Sequence, residues 1–326
     1  MLYGNYLFSC RLESDALLPG YKGSTFRGVF GHALKRVVCA LKRQTCDDCP
    51  LKNRCVYAMV FETPVAVPLP ENSRISEPPH PFVIEPPLTD TRQYRKGEKI
   101  ECGMILFGEP NNSLSYFIYA FEQMGKIGIG RRVNGNRGRF FLESVRTSDR
   151  EIYSWKDRTF VQDETPGTLT MDAAASSDNS NGPSRVSLNL ETPLRLKFKN
   201  QVRASLPFHV LVRAMLRRVS SLSAIWDGVE PALDYKGLVQ RAEKVHIQKN
   251  NLRWFDWKRY SNRQERKMFM GGLVGNVTYE GNLEEFMPLL QFSEKVHLGK
   301  NTSFGLGKVK LGFNPLFEGD RKGRNL

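Results

Sequence analysis

The chain has 326 residues, 40% of them hydrophobic and 25% charged, which is long enough for two cores and too apolar for a chain disordered throughout. Lysine and arginine number 48 against 34 aspartates and glutamates, a formal net charge of +14; such like charges repel in the compact state, and phosphate is their natural partner. The start, MLYGNYLFSCRLESD, has no cationic segment ahead of an apolar run, and no stretch is apolar over the length of a bilayer, so the expectation is a cytoplasmic protein without membrane contact whose six cysteines are not structural disulfides.

In chain order, Leu2 to Leu12 reads as a strand and Ser24 to Leu41 as an amphipathic helix. The short apolar runs VYAMVFE and CGMILFG read as strands, and SYFIYAFEQMGKIG as a helix leading into the glycine-rich GIGRRVNGNRGR and the alternating strand FFLESV. The stretch 162–184, rich in Ser, Asp, Asn, Gly and Pro, reads as a flexible linker or long loop. Beyond it come a strand from Val186 to Phe198, a helix from Pro207 to Trp226, strand material in MFMGGLVGNVTYE, a helix in EEFMPLLQFSEKV, the glycine-rich HLGKNTSFGLG and the strand KVKLGF. Each half thus approximates strand, helix, strand, strand, helix, strand. The predicted class is α+β, with two tandem ferredoxin-like domains at 1–161 and 185–326 joined by the linker.

Cys39, Cys46, Cys49 and Cys55 stand in the run CALKRQTCDDCPLKNRC, spaced C-x6-C-x2-C-x5-C. Four thiolates this close together in a reducing compartment suit one metal centre, so the segment 39–55 is predicted as a metal-binding insertion in the first domain. The spacing, including the proline after the third cysteine, resembles the iron–sulfur loop of the endonuclease III class of DNA glycosylases. That implies a 4Fe-4S cluster, with structural zinc as the alternative. The centre would pin the loop and present Lys42 and Arg43 towards phosphate. A redox-responsive or repair-type DNA enzyme is a reading this spacing alone would support, and no other motif suits base excision. Cys10 and Cys102 lie apart and read as small buried hydrophobes.

Arg253, Trp254, Trp257, Lys258, Arg259, Arg263, Arg266 and Lys267 interleave aromatic and cationic side chains. Bases stack on aromatics while guanidinium groups hold the backbone, so this stretch is a candidate RNA-binding surface; the competing reading is a tryptophan-anchored core strand with a solvated basic face. In the segment 297–307, Gly299, Gly305 and Gly307 allow close approach of a phosphate and Lys300 supplies charge, although an ordinary glycine-rich hairpin would read the same.

LPGYKGSTFRGVFGHALKRVV, PPHPFVIEPP, WFDWKRYSNRQERKMFMGGLVGNVTYEG and HLGKNTSFGLGKVKL together resemble the CRISPR-associated endoribonucleases of the Cas6 family, in the RAMP superfamily. The resemblance covers most of both halves and skips the linker. It implies an enzyme that cuts the repeats of a precursor CRISPR RNA without a metal ion: the 2′-hydroxyl attacks the adjacent phosphate and leaves a 2′,3′-cyclic phosphate and a 5′-hydroxyl. It also implies that a histidine on the first helix moves a proton, a place matched here by His32, with Tyr21 assisting and Lys35 one turn further on to stabilise the phosphorane. His297, beside the glycine-rich loop, is the second candidate. The implied partners are CRISPR repeat or guide RNA and other CRISPR effector subunits. The alternative is a RAMP subunit that holds guide RNA in an effector complex and does not cut.

Overall fold

The computed structural model describes residues 1–312 except Asn72, Asp149, Arg158, 162–165, 172–183, 197–203, Trp257 and 262–265; for 258–261 and 266–269 it describes the backbone. By packing, the chain divides into two units. The first holds Met1–Thr170, Val219–Pro231 and Thr302–Gly305, and the second holds the remainder.

The first unit runs β1 (Leu2–Leu12), β2 (Ala16–Leu17), α1 (Gly23–Val38), α2 (Val56–Phe61), α3 (Thr63–Ala66), β3 (Phe82–Glu85), β4 (Gln93–Tyr94), β5 (Lys99–Phe107), α4 (Leu114–Ile127), β6 (Ile129–Val133), β7 (Asn136–Gly138), β8 (Phe140–Arg146), β9 (Glu151–Ser154), β10 (Thr159–Phe160) and β11 (Gly167–Thr168). Its main sheet has the order β10-β9-β8-β1-β5-β3, with β11 added beside β1. Alternation explains the central strands: Tyr6, Phe8, Cys10 and Leu12 of β1, and Ile100, Cys102, Met104 and Leu106 of β5, point into one core. Phe26, Phe30, Ala33 and Leu34 of α1 recur at helical spacing and join them, as do Phe117, Phe121 and Met124 of α4. The Phe30 ring lies 5.3 Å from Phe121 and 6.0 Å from Phe117, and Phe8 stacks on Phe121 at 4.1 Å.

The second unit contains β12 (Arg185–Leu194), α5 (Phe208–Trp226), α6 (Tyr235–Ala242), β13 (His246–Phe255), β14 (Lys258–Ser261), β15 (Arg266–Phe269), β16 (Gly272–Glu280), α7 (Met287–Val296) and β17 (Val309–Gly312); α5 belongs to it as far as Arg218. Its sheet is ordered β13-β16-β12-β17, and β14 and β15 pair as a separate hairpin. Phe208 packs against Tyr279 at 4.8 Å and Phe286 at 5.0 Å, and the Tyr279 hydroxyl donates to the Leu206 carbonyl. Among the described residues no helix is long and apolar enough to cross a membrane.

Three expectations are corrected. VYAMVFE is helix α2, because its apolar residues Ala58, Val60 and Phe61 bury one helical face; a short apolar run does not by itself distinguish strand from helix. The strand in that position of the fold is β3, inside PPHPFVIEPP, where flanking prolines hid it. GIGRRVNGNRGR is not a loop but the β6–β7 hairpin, and within the supposed linker Gly167 and Thr168 pair with Tyr3 and Leu2 of β1.

Candidate nucleic-acid interface

Among the described residues, strand β13 is the edge of the second unit's sheet and pairs only with β16. Leu252 is its one fully buried side chain; Lys249, Asn250, Asn251, Arg253 and Phe255 are exposed. Trp254 is half-buried and its indole N–H donates to Asp256 at 2.8 Å, which holds the ring in place beside solvent. Arg253 and Trp254 are therefore both reachable from solvent, on opposite faces of the strand. The backbone continues as the β14–β15 hairpin, in which Lys258 pairs with Phe269, Arg259 with Met268 and Tyr260 with Lys267. Trp257 and Arg263 lie outside the described residues, as do the side chains of Lys258, Arg259, Arg266 and Lys267.

The segment 297–307 is built differently from an open phosphate cradle. Gly299 (φ 79°), Gly305 (φ 83°) and Gly307 (φ 75°) all have left-handed backbone. A Cβ on Gly299 would lie 2.6 Å from the Arg195 carbonyl oxygen, and one on Gly307 would lie 1.8 Å from that of Leu298. These glycines are needed for backbone-to-backbone packing. Gly305 and Gly307 are buried, whereas Gly299 and Lys300 are exposed and the Lys300 amide donates to the Arg195 carbonyl. His297 is fully buried, with Nδ1 donating to the Leu306 carbonyl at 3.1 Å, so its ring orients the loop from inside.

The loop tip, Thr302–Gly305, packs within the first unit. Arg27 of α1 donates to the Ser303 hydroxyl and lays its guanidinium 4.3 Å from the centre of the Phe304 ring. Tyr21 donates its hydroxyl to the Phe304 carbonyl at 2.6 Å. Burial, and then the nearby Cys102 and Glu85, push that phenol far above its ordinary range, so it holds the tip as a fixed donor. On α1, His32 is exposed and lies one turn before Lys35, whose ammonium sits 5.2 Å from the centre of the Tyr57 ring. His80 is held by Thr63 at 2.7 Å. His209 is half-buried and His246 exposed.

Residues 1–165 match a model described as the AF_1859 N-terminal domain, and residues 188–309 match the model of the CRISPR-associated endoribonuclease Cas6. The chain belongs by its first half to the family of the AF_1859 N-terminal domain, and its second half is similar to the Cas6 endoribonucleases. An uncharacterized protein of Archaeoglobus fulgidus is 23% identical over 302 residues, covering 90% of this chain and 92% of that protein. Among solved structures, Thermus thermophilus Cas6 (TTHB231) shares the fold with a TM-score of 0.52 at 12% identity over 95% of this chain and 98% of that one. A chain of the partial Cas6-RT-Cas1--Cas2 complex gives 0.55 at 13% identity over 95% of this chain and 46% of that one.

The Cas6 match takes in β13, the β14–β15 hairpin and the glycine-rich loop; the Cys39–Cys55 loop lies outside it. All six cysteines are free, Cys10 and Cys102 buried and the other four half-buried. Among the described residues no group of three or more His, Cys, Asp or Glu side chains is gathered closely enough to hold a metal ion. Sequence reasoning passed over two features. Lys22 is fully buried, its ammonium donating to the Gly20 and Thr89 carbonyls, and burial lowers its pKa. The other is the arginine content of the β6–β7 hairpin, visible in GIGRRVNGNRGR but read only as a glycine signal.

Proposed function

We propose that this chain is a Cas6-type RAMP protein that binds CRISPR repeat RNA and cuts it by metal-independent transesterification. The 2′-hydroxyl loses its proton and attacks the adjacent phosphorus; the bond to the 5′-oxygen breaks, and that oxygen takes up a proton, leaving a 2′,3′-cyclic phosphate and a 5′-hydroxyl. The observation that carries the reading is His32, a solvent-facing imidazole on α1 with Lys35 one turn on, in a chain whose residues 188–309 match the Cas6 endoribonuclease model. His32 carries out one of the two proton transfers, each of which is typically worth about 10² to 10⁴ in rate, and Lys35 offsets charge on the phosphorane. Arg253 and Trp254 of β13 hold the strand by charge and stacking, and Lys258, Arg259, Arg263, Arg266, Lys267, Lys300, Lys42 and Arg43 are further cations offered to phosphate. The order β8-β1-β5-β3 in one unit and β17-β12-β16-β13 in the other supports reading both as ferredoxin-like RAMP domains. Likeness to a chain of a Cas6-RT-Cas1--Cas2 complex supports association with other CRISPR-associated proteins.

The test is incubation of the wild type and His32→Ala with labelled repeat RNA in EDTA, analysing the ends of the products as well as their lengths. A cut in EDTA that leaves a cyclic phosphate and is lost in the variant is expected. Tight binding with no cut by either protein would replace this reading with that of a RAMP subunit that holds guide RNA.

The same reading gives Cys39, Cys46, Cys49 and Cys55 a structural metal, a 4Fe-4S cluster in preference to zinc. The donor set suits either, and the loop between Cys39 and Cys55 contains no buried residue, so no apolar burial accounts for its order. Anaerobic purification followed by iron, sulfide and zinc analysis tests this, with Cys46→Ser expected to lower the bound metal. A wild-type protein holding neither iron nor zinc would overturn it.

A further inference from the structure

A second cationic surface lies wholly within the first unit. Strands β4, β2, β6 and β7 form a small sheet in that order, with Leu17 of β2 paired to Gln93 and to Arg131. Between β6 and β7 the chain turns at Asn134 (φ 50°) and Gly135 (φ 82°), the asparagine–glycine pair that suits a tight type I′ hairpin. The hairpin is seated flush on its neighbour: a Cβ on Gly130 would lie 2.3 Å from the Leu17 carbonyl oxygen, and one on Gly138 would lie 2.3 Å from the Cβ of Ala16. Ile129, Ala16, Leu18 and Tyr94 anchor the sheet in the core. It is a rigid platform.

Every residue from Arg131 to Arg137 is exposed, as is Arg139. Four arginines thus project from nine residues that contain no acid, and the hairpin register sets Arg131 and Arg132 alongside Arg137, between the Ile129–Gly138 and Val133–Asn136 pairs. Arg92, Arg95 and Lys96, flanking β4, add three exposed cations to the same sheet. Among the described residues none of these seven side chains is in an ion pair. Of the nearby carboxylates, Asp15 and Glu98 are engaged by the backbone amides of Lys96 and Arg95, and Glu13, beside Arg139, and Asp90, beside Arg92, are exposed acids that leave the seven cations in large excess. Like charges set across a hairpin repel, so the fold gains nothing from them. They are explained by a partner that brings the opposite charge.

Two features name the chemistry of that partner. All four hairpin cations are arginine, whose planar fork binds phosphate oxygens in pairs, and Val133 is the one exposed large apolar side chain on the hairpin, where a protein partner would need aromatic or aliphatic anchors. We propose that the β6–β7 hairpin is an additional RNA-contact element that grips the phosphodiester backbone through Arg131, Arg132, Arg137 and Arg139, with Arg92, Arg95 and Lys96 extending the contact. This rests on the RNA-binding reading above and adds a site to it. Contacts of this kind position the strand and read no bases.

The test uses the full chain with all four hairpin arginines changed to alanine, and a second version with all four changed to lysine. Affinity for labelled CRISPR repeat RNA is measured by fluorescence anisotropy across a salt series, with circular dichroism confirming the fold. Each phosphate of a single strand that the protein no longer neutralises lowers the slope of log affinity against log salt by about 0.7, so the alanine variant is expected to lose roughly 2 to 3 units of slope and at least tenfold in affinity at low salt. The lysine variant should keep most of the slope. If wild type binds and the alanine variant matches it in slope and affinity, the hairpin proposal is overturned and the RNA-binding reading stands; if wild type fails to bind, that reading falls and takes the hairpin with it. Should the alanine variant unfold, equal binding by wild type and a single Arg132→Glu variant would overturn the proposal.

Discussion

Each half of the chain follows its last long helix with a glycine-rich segment, and the two glycines Gly135 and Gly307, one in each, are used in opposite ways. After α4, the turn glycine Gly135 has nothing within 4 Å of where a Cβ would stand, and the residues around it are exposed arginines. After α7, Gly307 is buried with another backbone pressed against it, and the histidine that opens the segment is buried too. A positive φ is common to both. What differs between Gly135 and Gly307 is the neighbour: solvent in one case and a carbonyl oxygen in the other, whereas Gly130, at the base of the first hairpin, is packed against a carbonyl as Gly307 is. The first segment presents charge, and the second is a packed device that fixes where the chain turns. Glycine content alone therefore reports that the backbone is unusual and is silent on what approaches it.

The sharpest way to break this contrast is Gly307→Ala. The new methyl would stand 1.8 Å from the Leu298 carbonyl oxygen at a φ of 75°. Left-handed strain of about 1–2 kcal/mol adds to an overpacking cost of about 1–3 kcal/mol, so a loss near 3 kcal/mol is expected in urea unfolding. A loss under about 1 kcal/mol would show that the loop relaxes freely and is not the packed element described above.

The histidines sharpen the same point in both stability and activity. His297→Ala leaves the Leu306 carbonyl without its donor and opens a cavity in a fully buried place, a cost of about 2–3 kcal/mol. Because the ring is shut away from solvent, the cleavage rate of the folded fraction should stay near that of wild type. His32→Ala should do the reverse: a stability change within about 0.5 kcal/mol, as for exposed surface sites, with cleavage reduced by about 10² to 10⁴. Thermal melts and single-turnover cleavage on the two variants decide it. Loss of cleavage in folded His297→Ala with none in His32→Ala would exchange their roles.

Much of the architecture was legible because it rests on period. The alternation of Tyr6, Phe8, Cys10 and Leu12 marks β1, and the spacing of Phe26, Phe30, Ala33 and Leu34 marks α1, whatever lies around them. VYAMVFE failed because six apolar residues satisfy either period, and only packing against α1 selects the helix. FVIE failed for the opposite reason, since prolines on both sides outweighed four residues of strand. At the site, sequence could name His32 as a histidine on a helix, and its exposure fits that role. It could not show that Tyr21 spends its hydroxyl on Phe304 or that His297 is enclosed, because both follow from contacts between residues far apart in the chain.

The smallest expected effect is Gly135→Ala, the counterpart of the first variant. Its φ of 82° carries the same left-handed strain, but the space around the new methyl is open. The cost should be the strain alone, about 1–2 kcal/mol and less if the turn adjusts, leaving Gly307→Ala the more damaging by the size of the clash. RNA affinity adds an independent measure. If the arginines work from a rigid platform, a distorted turn should weaken binding several-fold while leaving the salt slope near that of wild type, because the charges remain and only their placement is disturbed. Unchanged affinity with measurable destabilisation would mean that the hairpin holds phosphate by charge density alone, and that its turn geometry serves the fold and not the RNA.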